Sequence, residues 1–103
     1  MMPSDVPAVH LRAADGARAT IALDGAHVTS WIPSGQTEDR LFVSARSTFG
    51  TGNAIRGGIP VIFPQFGAFG ALRQHGFARL RRWSVVGAPD NTSSAQLHLA
   101  DSE

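Results

Sequence analysis

The chain contains no cysteine and no lysine. Without thiols it can build neither a disulfide framework nor a thiolate metal site. No apolar run approaches the ~20 residues that cross a bilayer as a helix. The opening MMPSDVPAVH has neither the basic nor the apolar region of a signal peptide, so a cytoplasmic protein with no membrane partner is expected. No stretch has a helical period, and no repeat or low-complexity tract is present. No histidine pair has zinc-site spacing and no GxxxxGK[ST] loop occurs, so neither a metal nor a cofactor is expected.

The lack of negative charge in one region says more. Between Asp39 and Asp90 there is no Asp or Glu, while Arg40, Arg46, Arg56, Arg73, Arg79, Arg81 and Arg82 all fall there. The net charge of +1 conceals this asymmetry. Such a block attracts anions, either phosphate esters or a nucleic-acid backbone. Because every basic residue is arginine, each can grip a phosphate with a planar fork where lysine offers a point charge.

The 103 residues, 43% hydrophobic and 17% charged, suit one globular domain or a piece of a larger one. The text reads as short antiparallel strands. Val9 and Leu11 alternate with polar neighbours, and Ala14-Asp15-Gly16 makes a turn before Ala19, Ile21 and Leu23. Asp24-Gly25 supplies a second tight turn before a strand from Ala26 to Ile32. Leu41-Phe42-Val43 reads as another strand. Ile59 to Pro64 is apolar and β-branched, but Pro60 and Pro64 cannot donate to a ladder, which predicts an edge or bulged segment. Trp83 to Val86 and Gln96 to Leu99 predict two strands joined across Pro89-Asp90-Asn91. The last of them runs into LHLADSE with no closing element, which predicts part of a larger all-β domain.

Candidate chemistry concentrates in AIRGGIPVIFPQFGAFGALRQHGFAR, residues 54–79. Arg56 stands beside two residues without a Cβ, so a ligand can approach the backbone closely. Gln74, His75 and Arg79 add an amide, an imidazole and a second fork. If that run is extended, Gln74 and Gly76 face one way and His75, Phe77 and Arg79 the other. Amide, imidazole and arginine together suit a ligand bearing hydroxyls and a negative group, such as a sugar phosphate. Each residue also has an ordinary reading: surface arginines, a packed or surface histidine, and Phe63, Phe66, Phe69 and Phe77 as core or loop-packing residues. His10, His27 and His98 sit in strand-like text and receive no chemical role.

GAHVTSW, LFVS, AIRGGIPVIFPQFG and QHGFAR followed by Trp83, in that order, resemble the hexose-6-phosphate mutarotases. These form the glucose-6-phosphate 1-epimerase branch of the aldose 1-epimerase superfamily. The resemblance runs from about Gly25 to Trp83 and continues weakly beyond. It implies a large antiparallel β-sandwich of the galactose mutarotase type, of which residues 1–103 would be the N-terminal part. It also implies that Arg56, Gln74, His75 and Arg79 contact a hexose 6-phosphate. The family's general-acid histidine and carboxylate base would lie beyond Glu103, leaving no catalytic residue in this stretch. Two other readings are a non-catalytic carbohydrate-phosphate binder and a small nucleic-acid-binding β-domain. Against the last, no RNA-binding pattern appears, and the arginines lie beside glycines and prolines rather than at alternate strand positions.

Overall fold

A computed structural model describes residues 6–44, 54–63, 66–68, 70–71, 75–86 and 93–100. Its first unit is an antiparallel meander of β1 (Ala8–Arg12), β2 (Arg18–Ala22) and β3 (His27–Ile32). Both turns form where Asp-Gly stands. Gly16 has φ +95°, and the Ala17 N–H donates to the Asp15 carboxylate at 3.0 Å. Gly25 has φ +87° and Ala26 φ +49°, a left-handed pair that reverses the chain between Ala22 and His27.

The register places Val9 opposite Ile21 and Leu11 opposite Ala19, with Ala19 opposite Trp31, so one face of the sheet is apolar. The other face carries His10, Arg12, Arg18, Thr20 and Ser30. Between β2 and β3 the register slips: Thr20 faces Ser30 but Ile21 faces Val28, which leaves Thr29 as the extra residue of a bulge. Asp39 ties the following loop back to β3. It accepts the Trp31 and Leu41 backbone N–H groups at 3.0 and 2.9 Å and the Ser30 hydroxyl. Although burial raises its pKa, these hydrogen bonds hold the carboxyl below its usual value.

The predicted C-terminal hairpin is present as β4 (Ser84–Val85) pairing antiparallel with β5 (Leu97–His98). Its loop, Pro89 to Asn91, lies outside the described residues. Ile59 to Phe63 forms no regular strand, as its prolines require, but is pinned at each end: Ile59 bridges Val28 and Phe63 bridges Gly76. Leu41-Phe42-Val43 departs from expectation. It makes only a single bridge, from Val43 to Gly57, because its partner is a glycine turn instead of an extended segment.

The core is small. Val9, Ala22, Val43, Ile55, Ala78 and Leu80 are buried, and Ala22, Val43 and Ile55 form one cluster with Val6 against it. Phe63 and Phe66 are exposed, so of their two ordinary readings it is loop packing and not the core that applies, with Phe66 against the His75 ring. Trp31 and Phe42 are 46% and 76% exposed, an apolar surface that a second layer of sheet would cover in a sandwich. Among the described residues the largest fully buried side chain is a histidine, His27. No helix of these residues is long and apolar enough to cross a membrane.

Candidate functional site

The arginine block is partly used up by the fold. Arg82 forks onto Asp24, with Nε to Oδ1 at 2.5 Å and Nη2 to Oδ2 at 3.2 Å. Asp24 is buried, so this pair fastens the β2–β3 turn to a segment 58 residues away. The Arg81 guanidinium stacks over the Phe77 ring at 4.4 Å. Arg40 donates to Gln36 Oε1 at 2.5 Å. Arg46 and Arg73 of the same block lie outside the described residues, and the resemblance directs attention to Arg56 and Arg79.

Arg56 opens a turn shaped by its two glycines. Gly57 has φ +110° and Gly58 φ +64°. A Cβ on Gly57 would stand 2.0 Å from the Phe42 carbonyl oxygen, and one on Gly58 would stand 2.3 Å from that of Val28. Neither position accepts any other residue without a shift of backbone. The turn is seated by Ser44 N–H to Arg56 O at 2.8 Å, Gly58 N–H to Phe42 O at 2.8 Å, and reciprocal bonds between Val28 and Ile59 at 2.9 and 3.1 Å. Arg56 itself is exposed, projecting from a turn whose backbone is fixed on both sides.

Arg79 lies in the one turn of 3-10 helix, Ala78–Leu80, between two buried residues. Its carbonyl packs so closely on Gly25 that a Cβ there would come within 2.6 Å. Residues 75–79 are not extended, so the alternation that an extended run would give does not apply to them. His75 takes φ +65°, rare for a residue with a Cβ, and the Phe77 and Ala78 N–H groups both donate to the Phe63 carbonyl at 3.0 and 3.1 Å. His75 is held through one ring nitrogen, its backbone N–H and a ring contact. Nδ1 accepts the Gly67 N–H at 2.9 Å, the backbone N–H donates to Gly67 O at 2.9 Å, and the Phe66 ring lies 5.3 Å away, tilted by 58°. An accepting Nδ1 leaves Nε2 with the proton, a donor suited to an oxygen. Gln74 lies outside the described residues.

His27, to which sequence reasoning gave no role, links the two arginine segments. It is 1% exposed, and its Nε2 donates to the Gly57 carbonyl at 2.5 Å. A Cβ on Gly58 would strike the same ring at 2.9 Å. Burial holds the imidazole below its ordinary pKa; the Gly57 carbonyl partly offsets this, and the Arg79 charge lowers it further. The turn of Arg56 and the segment of Arg79 thus both bear on the β2–β3 turn, the first by its hydrogen bond from His27 and the second by packing on Gly25. His75 makes its contacts with the Gly67 loop and not with either arginine. The signal that could have found His27 was its position: second after a left-handed Asp-Gly turn, on a strand face that begins buried.

A mainly apolar cleft of about 480 Å³ lies among Val61, Phe63, Phe77, Trp83 and Leu97, with Arg81 and His98 also in its lining. Arg56, Arg79, His27 and His75 do not line it. Among the described residues no group of three or more His, Asp or Glu side chains could hold a metal ion.

The sequence pattern of the aldose 1-epimerase family matches residues 7–103. A protein of Cenchrus ciliaris named "Putative glucose-6-phosphate 1-epimerase" is 48% identical over 87 residues, 84% of this chain and 26% of its own length. A Salmonella typhimurium protein of the same name is 40% identical over 82 residues, covering 78% of this chain and 28% of its own. The crystal structure of the protein HI1317 superposes with a TM-score of 0.67 at 40% identity, over 82% of this chain and 30% of that one. The chain spans roughly a quarter to a third of the length of such relatives.

Proposed function

The chain belongs to the aldose 1-epimerase family, and from that premise we propose that it supplies the phosphosugar-binding part of a hexose-6-phosphate 1-epimerase. The observation carrying this reading is that the Arg56 turn and the Arg79 segment both bear on the β2–β3 turn, the first through the Gly57 carbonyl on His27 and the second through its own carbonyl on Gly25. Two forks set by rigid backbone suit a phosphate dianion better than a track of surface charges does. The engagement of Arg40, Arg81 and Arg82 elsewhere weighs against a nucleic-acid surface. Gln74 and His75 then serve the sugar hydroxyls, with His75 Nε2 as a donor. A phosphorylated hexose does not cross a bilayer unaided, which favours a cytoplasmic enzyme.

The reaction interconverts the α and β anomers. A base removes the C1-hydroxyl proton while an acid protonates the ring oxygen, and the C1–O5 bond breaks to give the open aldehyde. Rotation about C1–C2 presents the other face of the carbonyl, and the O5 hydroxyl adds back as the proton transfers reverse. Two groups of opposed protonation must flank one carbon. In this proposal the family's histidine and carboxylate fill those roles from outside residues 1–103, and the residues described above hold the substrate.

The test compares affinities for glucose 6-phosphate and glucose in Arg56→Ala and Arg79→Ala. A charge-assisted hydrogen bond to phosphate contributes on the order of 1.5–3 kcal/mol, so each variant should lose roughly ten- to a hundredfold in affinity for the phosphorylated sugar. Affinity for glucose should change little. Arginine to lysine at either position should also weaken binding, since the fork is lost while the charge stays. An unchanged ratio of the two affinities in both variants would show ordinary surface charges.

A further inference from the structure

The turn Asp24-Gly25-Ala26-His27 touches every segment of the site that carries arginine. Asp24 grips Arg82, Gly25 lies under the Arg79 carbonyl, and His27 holds the Gly57 carbonyl beside Arg56. A single four-residue reversal therefore fixes two backbones that are remote from it in sequence. We infer that His27, as the Nε2–H tautomer, is the positioning residue that sets the Arg56 turn against Arg79. This rests on the phosphosugar reading above.

Three observations carry it. First, the bond runs from a side chain that is 1% exposed to a carbonyl adjoining Arg56, so no water competes for it. Second, the fit is mutual: Gly58 has no Cβ where one would meet the His27 ring, and its φ of +64° turns the backbone onto that ring. Third, His27 Nδ1 is buried with no hydrogen-bond partner among the described residues. A histidine kept only to fill space could be replaced by an aliphatic side chain that leaves no polar atom stranded. Keeping an imidazole with one satisfied nitrogen makes sense where that nitrogen's bond is the purpose. The charged group that bears on the ring, Arg79 from the 3-10 turn, is a cation. An imidazolium there would be repelled by it.

The experiment has two arms, run on the 103-residue chain. Nitrogen-15 NMR of the imidazole should show a bare Nδ1 and a protonated Nε2 that persist from neutral to mildly acidic pH. A protonated Nδ1, or a ring titrating like an exposed histidine, overturns the assignment whatever the chain binds. The second arm compares His27→Leu with His27→Gln, whose amide nitrogen can take the place of Nε2. His27→Leu should weaken glucose 6-phosphate binding roughly tenfold and shift the Nε–Hε resonances of Arg56 and Arg79, leaving those of Arg12 and Arg18 in place. His27→Gln should restore affinity to within about twofold. If His27→Leu binds as the parent does and leaves the Arg56 and Arg79 resonances unmoved, His27 is a packing residue and the inference fails. If the parent chain does not prefer glucose 6-phosphate to glucose, the phosphosugar reading fails instead, and the tautomer and arginine resonances still decide the role of His27.

Discussion

His27 shows how one side chain can couple stability to pH. Its folded-state pKa lies below that of an unfolded-state imidazole, about 6.5, chiefly because of burial. In the window between those two values the unfolded chain binds the extra proton and the folded chain does not, so stability rises with pH. The contribution is fully present above about pH 6.5 and is lost as pH falls below it. Thermal melts at pH 7.5 and pH 5.5 should therefore show a lower Tm at the acidic value. The difference should shrink in His27→Gln, which carries nothing to protonate. An identical pH dependence in parent and variant would assign the effect to other groups. The sequence did not reveal this residue because a histidine in HVTSW looks like any polar strand position. Its burial comes from the segment that packs on it from 30 positions downstream, at Gly57 and Gly58.

At the scale of elements, glycine placement explains why the arginine turn keeps its shape. Gly58 and Gly35 both have positive φ, +64° and +74°, but only Gly58 is hemmed in by other atoms. Gly35→Ala should cost about 1 kcal/mol, the penalty of a left-handed backbone alone. Gly58→Ala adds a contact of 2.3 Å with the Val28 carbonyl and should cost roughly 3 kcal/mol or more. Urea unfolding of the two variants measures the difference, and equal losses would mean that the Arg56 turn does not sit on β3 as described. The hairpin turns and the broken Ile59–Phe63 segment were legible because Asp-Gly and proline act locally. The isolated bridge at Val43 and the 3-10 turn at Ala78–Leu80 were not, because both are dictated by what lies across from them. Residues 75–79 are not the extended run on which their alternation depended for the same reason: the Gly67 and Phe63 carbonyls bend the run.

On the scale of the whole molecule, the family was readable from linked motifs, and those motifs converge in space around the β2–β3 turn. The apolar face bearing Trp31 and the exposed Phe42 agree with a share of a larger sandwich, as does the span of about a quarter to a third of the relatives' length. In the proposed function residues 1–103 are a floor that holds a phosphosugar without the groups that open its ring. Ligand-observed NMR of glucose 6-phosphate mixed with the 103-residue polypeptide tests both halves at once. The phosphorus-31 resonance should shift and broaden, while exchange between the α and β anomers should proceed at the rate of buffer alone. A phosphorus resonance unmoved by the protein, or anomer exchange well above the buffer rate that disappears in His75→Ala, would contradict it.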